Sequence, residues 1–361
     1  MPTDLRCQKL AKLAVNYCVF VKPHEKIIIS GGTEAQDFLL ALYKETIING
    51  AHPITRISIP GMTPFFYKHA KKHQIEKYPD IFEHIIKQSK KYIGINTESI
   101  TRELTSCDPK KITQRAKITR KITDLVCNNQ PNMHRTTIAF PCQALAQDAE
   151  MSLIEYENFV YGACLQDWNK LSKRLHKIKN KFKENSTVHL KGQGVDLKFK
   201  VEGHLAKVDD GKENMPGGEI FMAPIKTTVN GHINFEYPSI RNGKEVTDIK
   251  LEFKDGKVIN SSASKNQDFL QQMINTDENS QYIGEFGIGA NPKITKYTKN
   301  LLFDEKISGT IHLALGATYK DNTTPQTMRE SAIHWDIVKS MKKAKMIVDN
   351  KIIQENGVWK I

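Results

Sequence analysis

The sequence predicts an α/β N-terminal domain over residues 1–184, a parallel sheet flanked by helices. It is followed by an α+β C-terminal domain over residues 185–361, rich in antiparallel strands. Three observations carry this reading. Apolar runs of strand length alternate with helical periodicity through the first half, the pattern of a parallel sheet wrapped by crossover helices. Tight-turn dipeptides punctuate the second half, as hairpins require. Acids and histidines set among apolar and glycine neighbours lie on strand-like segments of the second half.

Element by element, residues 5–20 read as a helix, 26–30 as a buried strand and 34–48 as a helix stopped by Gly50. A strand over 53–59, helices near 64–74 and 81–89, and a strand over 91–95 continue the alternation. A helix near 110–127 and a strand over 136–140 complete it. A long helical stretch from about 150 to 184 leads out of the domain. Within it Leu171, Leu175, Ile178 and Phe182 repeat at helical spacing opposite a lysine-rich face, which reads as an amphipathic helix with a basic solvated side. Asn242-Gly243, Asp255-Gly256 and Asp349-Asn350 then mark hairpins, the last joining 346–348 to 351–353.

At 361 residues the chain is too long for one small core and suits two domains. No run reaches the length of a membrane span, and Met1-Pro-Thr-Asp-Leu-Arg6 lacks the apolar core of a signal peptide, so a cytoplasmic location with no membrane partner is expected. All six cysteines fall in the first half without Cys-x-x-Cys spacing, which argues against zinc ribbons and a disulfide framework and for reduced thiols. The net charge of +13 favours loose contact with polyanions, but no aromatic-basic motif or finger spacing supports a specific nucleic-acid module.

The chemistry concentrates in four segments: Glu219 in 214–221, Glu285 in 283–289, His312 in 311–316, and His334 with Asp336 in 333–337. Side chains alternate along a strand, so His334 and Asp336 share one face while Ile333, Trp335 and Ile337 take the other. The same alternation sends Ile311, Leu313 and Leu315 into a core and leaves His312 opposite, flanked by the small Ala314 and Gly316. Mixed carboxylate and imidazole donors suit zinc, cobalt or manganese. Three enclosed carboxylates carry −3; one divalent ion leaves −1, whereas two ions with a bridging hydroxide leave none, which points to two divalent metal ions. Tyr319, just past Gly316, is placed to donate to an oxyanion if the chain bends there. Glu305, in Asp304-Glu-Lys306, reads as either a charged turn or a helper of the centre.

Rival motifs are weaker. Ser30-Gly-Gly-Thr33 lacks both the dinucleotide fingerprint and a Walker lysine. His69 and His73 have the spacing of a zinc-protease helix, but Ala70 stands where that motif needs its glutamate. No Gly-x-Ser-x-Gly elbow is present.

The segments Asn214-Met-Pro-Gly-Gly-Glu219, Gly284-Glu-Phe-Gly287, Asp304-Glu-Lys306, Gly309-Thr-Ile-His312-Leu-Ala-Leu-Gly316, Tyr319 and Ser331-Ala-Ile-His334-Trp-Asp336 stand in order. Together they resemble the M29 family of metallo-aminopeptidases, the aminopeptidase T and aminopeptidase S group. The resemblance implies that Glu219, Glu285, His312, His334 and Asp336 bind two divalent ions and that Tyr319 is catalytic. It also implies a homodimer with an enclosed site that releases N-terminal residues from short peptides. The chain is shorter than typical members between Tyr319 and His334, and His24 replaces the glycine usual after Lys-Pro. The sequence reading is therefore a metal-dependent aminopeptidase with Glu285 relaying the proton to the leaving amine. A metallohydrolase of another amide or ester is the alternative that a peptide panel separates. A basic nucleic-acid-binding protein is a third, distinguished by steep salt dependence of binding.

Overall fold

The computed structural model describes residues 4–127, 132–241, 243–319 and 322–360. The chain divides into two compact units, residues 1–166 with 211–217, and residues 167–210 with 218–361.

In the first unit β1 (Lys26–Gly32), β2 (His52–Ser58), β3 (Lys91–Asn96), β4 (His134–Ala139) and the short β8 (Asn214–Met215) form one parallel sheet, in the order β2-β1-β3-β4-β8. Ile27, Ile28 and Ile29 of β1 are all fully buried, as an inner strand covered on both faces requires. The helices are α1 (Leu5–Leu13), α2 (Gln36–Ile48), α3 (Met62–His69), α4 (Lys72–Glu76), α5 (Asp80–Gln88), α6 (Pro109–Cys127), α7 (Gln143–Asp148) and α8 (Leu153–Cys164). The helix expected over 5–20 is α-helical only to Leu13 and continues as a π-helical turn over Ala14–Cys18. Gly50, with φ of +72°, ends the segment after α2.

The stretch expected to be one helix from about 150 to 184 is two. Ser152 and Glu155 cap the start of α8 reciprocally, and the chain leaves helical geometry at Leu165. Asp167 then accepts from the Lys170 amide at 2.9 Å and opens α9 (Trp168–Lys179). A side-chain acceptor for free amides competes with helix continuation, so the periodicity carried across a break.

The second unit begins with α9, whose Trp168, Leu171, Leu175 and Ile178 are buried. An eight-stranded antiparallel sheet contains β5 (Ser186–Gly192), β6 (Val195–Val201), β10 (Asn230–Asn234), β13 (Lys250–Lys254), β14 (Lys257–Ser262), β18 (Ala344–Val348), β19 (Lys351–Glu355) and β20 (Val358–Trp359). The Asp255-Gly256 and Asp349-Asn350 turns close β13–β14 and β18–β19 as expected. Both Asp349 and Asn350 have positive φ, 47° and 66°, the geometry that matches hairpin twist. β11 (Ser239–Arg241) and β12 (Lys244–Val246) pair as a small ribbon; Asn242, in the turn expected there, lies outside the described residues.

The remaining strands form a five-stranded antiparallel sheet. They are β7 (Lys207–Asp209), β9 (Glu219–Met222), β15 (Ile283–Gly289), β16 (Thr310–Gly316) and β17 (His334–Ser340), in the order β17-β16-β15-β9-β7. Two short helices, α10 (Gln267–Ile274) and α11 (Leu301–Asp304), complete the unit. One face of this sheet is apolar except for Lys339, which pairs with Ile311 and donates to the Asn234 carbonyl: Ile220, Phe286, Ile288, Ile311, Leu313, Leu315 and Ile337 are buried, and the Phe286 ring meets Phe199 of β6 edge-on at 5.0 Å. The opposite face carries the chemistry.

Candidate metal centre

Cross-strand partners share a face of a sheet, so register decides which side chains meet. Gly289 lies opposite Glu219, Gly287 opposite His312, Glu285 and Asp336 both opposite Ala314, and Gly316 opposite His334. The five sequence-predicted residues therefore project from one face of β9, β15, β16 and β17. Each charged residue faces a small partner, which leaves volume between them. The tightest case is Gly287, where a Cβ would sit 1.8 Å from His312 Nε2. Gly287→Ala is expected to displace the imidazole and weaken divalent-ion binding at least tenfold, read by titrating metal-stripped protein with cobalt. Unchanged affinity would mean that the ring is not a donor.

The structure gathers two overlapping donor groups, each with its ligand atoms within 4.8 Å of one another: Glu219, Glu305 and His312, and Glu285, His312 and Asp336. His312, fully buried, is common to both; its Nε2 lies 3.2 Å from Glu285 Oε1 and 3.5 Å from Glu219 Oε2. His334 adjoins the second group, with Nε2 3.5 Å from Asp336 Oδ2 and 4.0 Å from Glu285 Oε2. Its Nδ1 sits 2.8 Å from the Ala317 carbonyl oxygen. A carbonyl only accepts, so Nδ1 carries a proton and Nε2 is the ring nitrogen turned towards the acids, the orientation found in metal-ligating histidines.

Three carboxylate oxygens here, Glu219 Oε2, Glu285 Oε2 and Asp336 Oδ1, are buried without a hydrogen-bond partner. Two carboxylates about 5 Å apart repel by on the order of 3 kcal/mol at an effective dielectric near 20. The acids therefore need a cation. Glu219, Glu285, Glu305 and Asp336 contribute four negative charges and Lys306, fully buried, one positive, leaving −3. Asp209, opposite Glu219 on β7 and also buried, deepens the field. One divalent ion leaves an excess of negative charge. The residues thus fit divalent metal ions by donor type, by unpartnered atoms and by charge.

Proton affinities report the same field. Burial, then the neighbouring Glu305, holds the Glu219 carboxyl well above its usual range despite Lys306 and His312. Burial opposes a charge on His312, but the Glu285 hydrogen bond and the charges of Glu219 and Asp336 outweigh it and raise the imidazole to about 10. His334 is raised likewise, Asp336 and Glu285 prevailing over burial.

Tyr319 arrives as the bend at Gly316 allows. Gly316 has φ of +102°, a conformation open to glycine at little cost, and the Ala317 amide then donates to the Ile333 carbonyl at 2.7 Å. The Tyr319 ring lies 5.1 Å from the His334 ring and 5.7 Å from that of Phe221. The residue keeps 46% of its surface exposed, yet desolvation, followed by the carboxylates of Glu285, Asp336, Glu305 and Glu219, pushes its phenol far above the ordinary range.

Sequence reasoning left Glu305 between turn and helper, and did not single out Lys306 or Gly287. The turn carrying the first two is held by Asp304, which accepts from the Thr298 amide at 2.7 Å and its hydroxyl at 2.9 Å and is pushed up to about 8 by burial. The Asn291 amide donates to the Lys306 carbonyl at 3.0 Å, fixing the next step of the chain. His69 and His73 are exposed on α3 and α4, as expected of surface histidines.

The family described as thermophilic metalloprotease (M29) matches residues 3–359. The chain belongs to the M29 metallopeptidase family. Aminopeptidase AmpS of Bacillus subtilis is 24% identical over 98% of this chain and 96% of its own length. The structure of AmpT from Thermus thermophilus superposes with a TM-score of 0.83 at 19% identity, covering 99% of each chain. A 2,5-dihydroxypyridine dioxygenase from Pseudomonas putida shares the fold more distantly, with a TM-score of 0.60 at 11% identity over 98% of this chain and 96% of its own. The fold of an M29 peptidase is thus not peculiar to peptidases, and the chemistry must be argued from the site.

Proposed function

We propose that this M29 peptidase is a metal-dependent aminopeptidase that removes N-terminal residues from short peptides. Glu219, Glu285, Glu305, His312, His334 and Asp336 hold two divalent ions, zinc, cobalt or manganese. The observation that carries the reading is the residual −3 of a buried pocket in which one carboxylate oxygen each of Glu219, Glu285 and Asp336 has no hydrogen-bond partner. When bound, such ions acidify water and polarise a carbonyl. The protein's own groups do the rest. Glu285, reaching both His312 and His334, takes the proton of the attacking water and passes it to the leaving amine. Tyr319 donates its hydroxyl to the developing oxyanion. The free α-amine of the substrate would meet a carboxylate of the site or fill a coordination position on an ion, which confines cleavage to N-termini.

The reading includes a homodimer. Leu40, Tyr43 and Ile47 line one side of α2 and are 48%, 43% and 51% exposed, an apolar stripe that a second copy would cover; the mass of a single chain in light scattering would remove this part. It also includes a cytoplasmic setting, consistent with six free cysteines; protein recovered from an exported fraction would contradict it. No helix among the described residues is long and apolar enough to cross a membrane.

The deciding experiment compares one short peptide with its amine free and the same peptide acetylated, beside an unstructured protein. Release of N-terminal residues from the free peptide alone is expected. Equal cleavage of the acetylated form, or internal cuts in the protein, would move the assignment to a general amidase or an endopeptidase.

A further inference from the structure

Lys306 takes no part in the chemistry given to Glu285 and Tyr319, yet it is 0% exposed. Its ammonium lies 3.1 Å from Glu219 Oε1 and in direct contact with Glu305 Oε1. A buried ammonium is costly unless matched, and here both matches come from the same donor group, Glu219, Glu305 and His312. The other oxygen of Glu219, Oε2, has no hydrogen-bond partner and faces His312 Nε2 at 3.5 Å. One carboxylate oxygen is thus tied by the lysine and the second is left for an ion. The other group differs. Among the described residues no lysine or arginine forms an ion pair with Glu285 or Asp336; Arg241, which feels the Asp336 charge, donates to the His334 carbonyl oxygen.

We propose that Lys306 is a positioning residue that grades the two ion positions. It orients Glu219 and Glu305 and places a fixed positive charge in direct contact with their carboxylates, which Arg241 does not do to Asp336, so that the ion held by Glu219, Glu305 and His312 is the weaker-bound and more readily exchanged. The inference rests on the two-ion reading of the centre. A tethered cation that shares its carboxylates with a divalent ion repels that ion strongly in a pocket of low dielectric. The orientation it supplies is worth less, since it restrains only two short side chains. Removing the charge should therefore tighten the weaker ion.

The test is a titration of metal-stripped protein with cobalt, followed by its visible spectrum and by calorimetry, with no activity readout. Wild type should bind two ions in steps of unequal affinity, and Glu305→Gln should weaken the weaker step alone. Lys306→Met should tighten that step at least tenfold and narrow the gap, and Lys306→Arg, which keeps the charge, should restore it. Lys306→Gln, which retains an amide donor without the charge, must behave as Met does, and it serves for the titration should the Met variant fail to accumulate. Two equal steps in wild type, or a weaker step that Met and Gln leave unchanged or loosen further, would overturn the proposal while leaving the two-ion centre intact. Failure of wild type to bind two ions would instead remove the reading beneath it.

Discussion

Stripping divalent ions from this protein with a chelator is expected to take peptide hydrolysis to background, and zinc, cobalt or manganese to restore it. The donors are carboxylates and imidazoles without thiolates, which hold such ions exchangeably. Without ions the pocket retains buried like charges and unpartnered oxygens, and protons are the remaining cations that can relieve them. That is the meaning of the raised proton affinity of Glu219 and of His312 at about 10. The sign of the pH dependence follows: ions must displace protons, so loading releases protons and apparent metal affinity falls as pH falls. Calorimetry in buffers of different ionisation enthalpy measures the release. Glu219→Gln and His334→Ala should each lose bound metal, and activity should fall in parallel. Full turnover by protein that elemental analysis finds metal-free would end the metallopeptidase mechanism.

Much of this face was legible because alternation along a strand is a local property. The contrast of Ile311, Leu313 and Leu315 with His312, and of Trp335 with His334 and Asp336, needs only the two-residue period. What the period does not contain is register. That Gly287 stands against His312, and Ala314 against both Glu285 and Asp336, follows from the pairing of β15, β16 and β17, which is set by the whole sheet. Glu305 and Lys306 show the limit most clearly. An Asp-Glu-Lys turn reads the same whether it lies in water or against a buried carboxylate such as Glu219, and only tertiary packing makes Lys306 fully buried. The break between α8 and α9 was missed for the opposite reason. Its signal, the Asp167 cap, is local, but the apolar periodicity continues on the far side.

Replacing Tyr319 with phenylalanine is expected to leave both ions in place and lower kcat by roughly two to three orders of magnitude, the usual cost of deleting one oxyanion donor. The substitution removes a hydroxyl and keeps the ring, so the packing against Phe221 and His334 at 5.7 and 5.1 Å is retained. Desolvation, then the surrounding carboxylates, raise the proton affinity of the phenol, the direction that keeps Tyr319 a donor. Its loss should therefore scale the pH profile down without moving its limbs. A donor used only as negative charge develops on the carbonyl oxygen contributes to the transition state and little to ground-state binding, so kcat should fall while KM changes little. A purely structural tyrosine would give another pattern, with a lowered melting temperature, loss of metal and a turnover number that recovers when only folded, loaded protein is counted. Metal content, melting temperature and steady-state constants on the same preparation distinguish the two. Near wild-type kcat in a fully loaded Tyr319→Phe protein would show that the oxyanion is stabilised without the phenol.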